Sequence, residues 1–338
     1  MVTLSDIARE AGVSVSIASR VLTGDTKLRI RSDTRERVEN VARRRSYVPN
    51  HRARSLRLSR TGAVAFVVPE VNNAIFTEVI RGVEDSADEL GLDVLLGTGR
   101  RLDPDSGFLD RLDAERRVDG FLIQPHDVVD PNRPGQVFTG RNSPVIWLNS
   151  YRDGGSVFLD DARAARLATE HLLDLGHTRI GFVGGSAGSY TAVERRAGFE
   201  AAVDAARVPV RENWMTAEGY NVEAGDRAAR MLLAAGVLER PTALVVANVN
   251  AALGVLAAAR QLSIPVPHDV SVVALHDVWF AEYSAPRLTV VRLPLYEMGH
   301  HGIRDLYARM QGEAPRARRV ADPPPTLTVR ESTAAPPF

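Results

Sequence analysis

The chain has 338 residues, 44% hydrophobic and 25% charged, with a formal net charge of zero. That length exceeds one ordinary core, so at least two domains are expected, and the composition excludes wholesale disorder. No apolar run approaches the roughly 20 residues of a membrane span, and the absence of cysteine removes disulfides, thiolate metal sites and cysteine nucleophiles.

The neutral total conceals two different parts. Residues 1–60 carry 14 Lys and Arg against 6 Asp and Glu, a net of +8, so residues 61–338 hold the remaining 28 against 36, a net of −8. A small basic block on an acidic body points to a polyanionic partner at the N-terminus. Met1 to Asp6 lack a basic n-region and an apolar h-region, which predicts a cytoplasmic protein. Arginine supplies nearly all the positive charge, Lys27 being the only lysine.

Leu4, Ile7, Ala8 and Ala11 fall at i, i+3, i+4 and i+7, one stripe of a short helix that Gly12 ends. Val13-Ser14 leads into a second helix whose Ala18, Val21 and Leu22 pack inward, and the tight glycine turn between the two predicts a helix-turn-helix. Val15, Ser16, Ser19 and Arg20 share the opposite face. In a major groove, Arg20 would fork onto a guanine edge, Val15 would meet a thymine methyl and Ser16 either kind of base, while Ser14 suits a phosphate. A structural helical hairpin fits the same periodicity; the basic charge favours DNA. A third helix is expected from near Ser32 or Asp33, with Val38, Val41 and Ala42 inward. Asn50 to Leu56 is too short for a stable isolated helix, yet carries Arg52, Arg54 and a leucine, with Arg57 beyond.

Thr3 to Ser14, Ser19-Arg20-Val21-Leu22, Tyr47-Val48-Pro49-Asn50 and Ala53-Arg54-Ser55-Leu56 resemble the opening and hinge of the lactose-repressor (LacI/GalR) family of bacterial transcription regulators. Thr61-Gly62, Arg81-Gly82, Val118-Asp119-Gly120, His171-Leu172 through His177, Gly198-Phe199, Val270 to Val273 and Arg330-Glu331-Ser332 extend the resemblance along essentially the whole chain. One departure is local: Thr23 to Arg31 is about two residues longer than the family's usual loop, which puts phosphate contacts from it in question. The resemblance implies a homodimer on near-palindromic double-stranded operator DNA, with hinge segments that become helices there and a leucine, here Leu56, wedged into the minor groove. Candidate DNA contacts are Thr3, Ser14, Val15, Ser16, Ser19 and Arg20, then Asn50, Arg52, Ala53 and Leu56 in the hinge. Leu56→Ala is expected to remove most operator affinity and the DNA bend while sparing salt-sensitive nonspecific binding; gel-shift titration with bend analysis decides, and unchanged operator affinity and bend would refute the wedge.

From Gly62 onward apolar runs alternate with helical stretches: Ala63 to Val68, Leu92 to Leu96, Gly120 to Ile123, Val145 to Leu148, Ile180 to Val183, Leu244 to Val246 and Val270 to Leu275. These read as buried parallel strands, too many for one comfortable sheet, so two doubly wound halves are expected. The resemblance implies the same, an α/β two-lobed, periplasmic-binding-protein-like domain following the all-α helix-turn-helix. The expected division is 1–48 for the DNA-binding domain, 49–60 for the hinge and 61–338 for the effector and dimerisation domain. Within the last, lobe 1 takes about 61–159 and 291–320, and lobe 2 about 160–290 and 321–332, the chain crossing near 160, 290 and 320.

A small-molecule effector, carbohydrate-like or anionic, is expected between the lobes. Carried over position by position, its contacts would be Asn73, Ile75, Phe76, Asp160, Arg195, Tyr220, Asn248, Val249 and His276. Val249 and His276 stand where aspartate is frequent in the family, and loss of a hydroxyl-binding carboxylate predicts a less hydroxylated or more anionic ligand, or none. Arg195 is the expected fork for a carboxylate, phosphate or diol.

Gly184-Gly185-Ser186-Ala187-Gly188 is a G-x-S-x-G between a strand and a helix, so a serine hydrolase with Asp277 and His300 or His301 is the enzyme alternative. A plain glycine-rich strand-to-helix loop is the favoured explanation, and the expectation is a non-enzyme. His126, His268, His276, His300 and His301 show no chelating spacing, and no P-loop or Rossmann fingerprint occurs, so neither metal nor cofactor is expected.

Overall fold

The computed structural model describes residues 2–22, 24–25, 28–47, 60–99, 107–125, 143–152 and 154–337. It divides into two compact units, Met1–Thr61 and Gly62–Phe338.

The described residues of the first unit form three helices: α1 (Leu4–Glu10), α2 (Val15–Leu22) and α3 (Ser32–Arg44). Thr3 starts α1 with a capping box, its hydroxyl accepting from the Asp6 amide at 3.3 Å while the Asp6 carboxylate accepts from the Thr3 amide at 3.0 Å. Gly12 turns the chain at φ +66°, and the Ser14 hydroxyl starts α2 by accepting from the Ile17 amide at 3.2 Å. Ile7, Ala8, Ala11, Ala18, Val21, Val38, Val41 and Ala42 form the core, with Leu4 and Leu22 packed at its edge. Arg37 Nε donates to the Ala11 carbonyl at 2.8 Å, tying α3 to the turn between the first two helices.

The described residues of the second unit form two six-stranded sheets. Strands β1 (Ala63–Val68), β2 (Asp93–Thr98), β3 (Phe121–Ile123), β4 (Val145–Leu148) and β5 (Ser156–Leu159) join β11 (Ala317–Val320) in one sheet, ordered β11-β5-β4-β3-β1-β2. Strands β6 (Ile180–Val183), β7 (Met215–Thr216), β8 (Ala243–Val246), β9 (Ser271–Leu275) and β10 (Thr289–Arg292) join β12 (Thr326–Thr328) in the other, ordered β12-β10-β9-β8-β6-β7. The two orders are the same, so each strand has a counterpart in the other lobe.

Helices α4 (Ile75–Leu90), α5 (Phe108–Ala114) and α10 (Leu295–Met310) cover the first sheet; α6 (Asp161–Asp174), α7 (Tyr190–Ala205), α8 (Val222–Leu233) and α9 (Val249–Gln261) cover the second. The chain passes between lobes after β5, after β10 and after β11. The first two passages lead into a helix, which brings the next strand back parallel. The third, residues 321–325, has no helix, so β12 starts at the strand-end side of the sheets and runs antiparallel to β10. The first sheet is parallel throughout and the second is parallel apart from this edge strand, in keeping with the two doubly wound halves expected. Helices α8 and α9 pack backbone to backbone: a Cβ on Gly225 would lie 1.9 Å from the Ala251 carbonyl oxygen, and one on Gly254 1.9 Å from that of Val222. Among the described residues no helix is long and apolar enough to cross a membrane.

Candidate functional site

On α2, Val15 and Ser16 are exposed and Ser19 and Arg20 half-buried, while Ala18 and Val21 face the core, so the expected reading face is the one left outward. Thr3 and Ser14 both serve as helix caps, which fixes their side chains beside two helix N-termini. Arg20 is not an isolated donor: its Nε donates to Asp25 Oδ2 at 2.7 Å. Asn50, Arg52, Ala53 and Leu56 lie outside the described residues.

In the second unit, the carboxyl ends of strands from both sheets converge on a cavity of about 280 Å³, where ligands of open α/β sheets bind. Pro69 and Glu70 follow β1, Gln124 follows β3 and Asn149 follows β4; from the second lobe come Ser186 beyond β6, Tyr220 beyond β7, Asn248 after β8 and His276 after β9. Ile75, Phe76 and Val79 on α4, with Leu295 and Met298 on α10, make an apolar wall. Asn73, at the mouth of α4, accepts from Asn250 Nδ2 of the other lobe at 2.7 Å. Seven of the nine expected effector residues thus line the cavity: Asn73, Ile75, Phe76, Arg195, Tyr220, Asn248 and His276.

The other two do not. Asp160 is the N-cap of α6, accepting from the Arg163 amide at 3.2 Å, with Arg319 at 3.7 Å. The acid that matters is its neighbour Asp161, fully buried against Arg195. Val249 is fully buried in the hydrophobic core and absent from the cavity wall, which has Asn248 and Asn250 instead. A residue on a helix turns by about 100° relative to the one before it, so a one-residue offset at the first turn of α6 or α9 exchanges cavity for core. The inference drawn from a missing carboxylate at Val249 therefore falls.

Arg195 is 2% exposed and engaged at every nitrogen: Nε donates to Asp161 Oδ1 at 2.7 Å, Nη1 to the Ala247 carbonyl at 2.6 Å and Nη2 to His276 Nε2 at 3.0 Å. Its guanidinium also lies 5.3 Å from the centre of the Tyr220 ring. The Tyr220 hydroxyl bonds Thr191 Oγ1 at 2.7 Å, and Gly185 makes room for the ring, since a Cβ there would sit 1.9 Å from Tyr220 Cζ. Arg195 thus builds the cavity floor, and its charge is met by Asp161, whereas the other acidic or basic side chains among the described residues of the wall are Glu70 and Glu218. Among the described residues an anionic ligand finds no uncompensated cation there.

His276 is buried in the left-handed region at φ +74°. An arginine only donates, so His276 Nε2 accepts and the imidazole proton sits on Nδ1, which has no partner among the described residues. Gln124 Oε1 and Asn149 Oδ1, from the other lobe, are likewise buried without one. Burial, and then the Arg195 guanidinium, hold the His276 pKa well below the ordinary histidine value of 6.5; burial, and then His171, also lower that of His177, although its bond to the Ala334 carbonyl opposes this. Below pH 6.5 the unfolded chain takes up protons that the native histidines refuse, so stability is full above that pH and falls as pH drops. Melting temperature should hold from pH 8 to 7 and decline towards pH 5.5, less steeply in His276→Asn; an equally steep decline would deny His276 this role.

Ser186 lines the cavity, but its proposed partners are elsewhere: both oxygens of Asp277 accept from Arg330 Nη2, at 2.9 and 3.1 Å, and His300 lies 3.8 Å from Glu89 on the α4–α10 pair. Among the described residues no acid–base relay serves the serine. Sequence reasoning did not name Asp161, Gln124, Asn149 or Asn250 as site residues, and weighed Ser186 as a nucleophile or as part of a plain loop. Position just beyond a strand's carboxyl end was the available signal for Gln124 and Asn149.

Residues 3–50 match the model of bacterial regulatory proteins of the lacI family, and residues 169–333 that of a periplasmic binding protein-like domain. The HTH-type transcriptional regulator DegA of Bacillus subtilis (strain 168) is 32% identical over 340 residues, covering 98% of each chain. The lac repressor dimer bound to operator and the anti-inducer ONPF superposes with a TM-score of 0.84 at 25% identity over 99% of both chains. A complex of the transcriptional regulator CelR with cellobiose gives 0.72 at 28% identity, covering 98% of this chain and 100% of the other. With a lacI-type helix-turn-helix joined to a two-lobed domain around a polar cavity, and relatives that match from end to end, the chain belongs to the lacI family of bacterial transcription regulators.

Proposed function

We propose that this chain is a cytoplasmic repressor that binds near-palindromic operator DNA as a homodimer, under control of a neutral polyhydroxyl effector in the interlobe cavity. The observation that carries the effector assignment is that residues lining the cavity from both lobes hold buried polar atoms with no partner among the described residues, Gln124 Oε1 and Asn149 Oδ1 from one lobe and His276 Nδ1 from the other. A molecule with several hydroxyls both donates and accepts, and joins the lobes while satisfying all three. CelR, a relative of known complex, holds cellobiose. Dimerisation is supported by apolar surface in both lobes: Leu95 and Leu96 on the edge strand β2 are each 45% exposed, and Trp279 and Tyr283 are 70% and 78% exposed. One short reading helix covers too few base pairs for specificity, and a two-fold pair doubles the site.

Selection from random DNA should enrich a near-palindrome. Among neutral sugars, sugar phosphates and sugar acids tested by thermal unfolding, a neutral sugar should stabilise most, by about 2.7 kcal/mol at 100 times its dissociation constant. Tighter binding of a phosphorylated or carboxylated sugar than of its neutral parent would overturn this reading of the cavity.

A further inference from the structure

Just beyond α2, Asp25 puts a carboxylate on the one long donor of that helix. Gly24 sits at φ +70° and its amide bonds the Val21 carbonyl at 3.0 Å, while the Asp25 amide bonds the Arg20 carbonyl at 3.0 Å. These paired bonds are the Schellman closure of a helix C-terminus, and they fix the Asp25 backbone relative to Arg20. From there Asp25 Oδ2 reaches back to Arg20 Nε at 2.7 Å. The Asp25 carbonyl in turn accepts from the Leu28 amide at 3.3 Å, and Leu28 packs on the three-helix core. One residue therefore grips Arg20 by both its backbone and its side chain, and is itself anchored on each side.

We infer that Asp25 is a positioning residue for base reading: it holds the Arg20 guanidinium by Nε and aims its terminal amino groups at a guanine edge. This rests on the reading of Arg20 as a base contact. A guanine is read by two parallel hydrogen bonds to O6 and N7, which demand a fixed guanidinium plane. An arginine at the end of an exposed helix has many rotamers, and an ion pair to Nε removes most of them before DNA arrives. Both side chains remain partly accessible, Arg20 at 42% and Asp25 at 30%, so the pair is not sealed away from a groove. A carboxylate next to DNA also repels phosphates, so Asp25 lowers affinity for DNA in general while raising the preference for one base pair. That opposition separates positioning from a merely structural helix stop, which would lower all binding evenly.

The test uses the full-length protein and the operator that the wild type enriches from random DNA, with every base pair of that operator substituted in turn. Wild type, Arg20→Ala, Asp25→Asn, Asp25→Glu and the Arg20→Ala/Asp25→Asn double variant are titrated on this set and on nonspecific DNA, with thermal unfolding as a control for folding. Arg20→Ala should flatten the preference at one base pair in each half-site. Asp25→Asn should weaken that same preference about fivefold, with nonspecific affinity unchanged or higher, and add nothing in the double variant, since residues acting through one contact are not additive. Asp25→Glu should recover part of the preference. An even loss across all sequences, a gain in affinity with the preference intact, or additivity with Arg20→Ala would each overturn the inference. If Arg20→Ala leaves every base preference in place, it is the reading of Arg20 itself that fails, a distinct result.

Discussion

Arg195→Ala should destabilise the second unit by about 3–5 kcal/mol, the range for removing one partner of a buried ion pair. Asp161 is fully buried, and without Arg195 its charge loses the counter-ion that permits it to be there. The Ala247 carbonyl and His276 Nε2 lose their donors at the same time, each at a desolvation cost of about 1–3 kcal/mol when left unsatisfied. Urea unfolding followed by tryptophan fluorescence measures the loss. Arg195→Met combined with Asp161→Leu should be less harmful than Arg195→Ala alone, because the apolar pair leaves no stranded charge. A loss below about 1 kcal/mol, or a double variant as unstable as the sum of its parts, would show that the pair does not hold the floor.

The distinction between a ligand fork and a structural floor was not legible in the sequence. Arg195 reads as a carboxylate or diol fork because nothing local shows that Asp161, His276 and the Ala247 carbonyl, 34, 81 and 52 residues away, arrive at its three nitrogens. Local chemistry was legible: the 3.6-residue stripes named the three-helix core, since a helix repeats its inward face regardless of what it meets. Strands with continuous apolar runs were also legible. The five that escaped are short and all carry polar or charged residues, and three of them lie at sheet edges: β11 is Ala-Arg-Arg-Val, β12 is Thr-Leu-Thr, and β7 has two residues. Edge strands are wetted on one side, so they lack the uninterrupted apolar signal of central ones. The errors at Asp160 and Val249 share a different cause. Both fall at the start of a helix, where matching by alignment tolerates an offset of one residue but side-chain direction does not.

The same floor makes Gly198→Ala damaging. Gly198 lies one turn beyond Arg195 on α7, and a Cβ there would stand 2.0 Å from the carbonyl oxygen of Ala162 on α6, the residue after Asp161. Backbone, unlike the tip of a side chain, cannot swing aside, so α6 and α7 must separate. Overpacking alone costs about 1–3 kcal/mol. Separation also lengthens the 2.7 Å contact between Arg195 and Asp161, and a buried pair pulled apart keeps its desolvation penalty while losing its attraction. The summed loss is expected at about 3 kcal/mol or more, with effector binding weakened because Tyr220 and His276 both rest on Arg195. Urea midpoints for Gly198→Ala, Arg195→Ala and the two together test the coupling: since each damages the same pair, the double variant should fall well short of the sum. Full additivity would place Gly198 in helix packing alone, with no part in holding the floor.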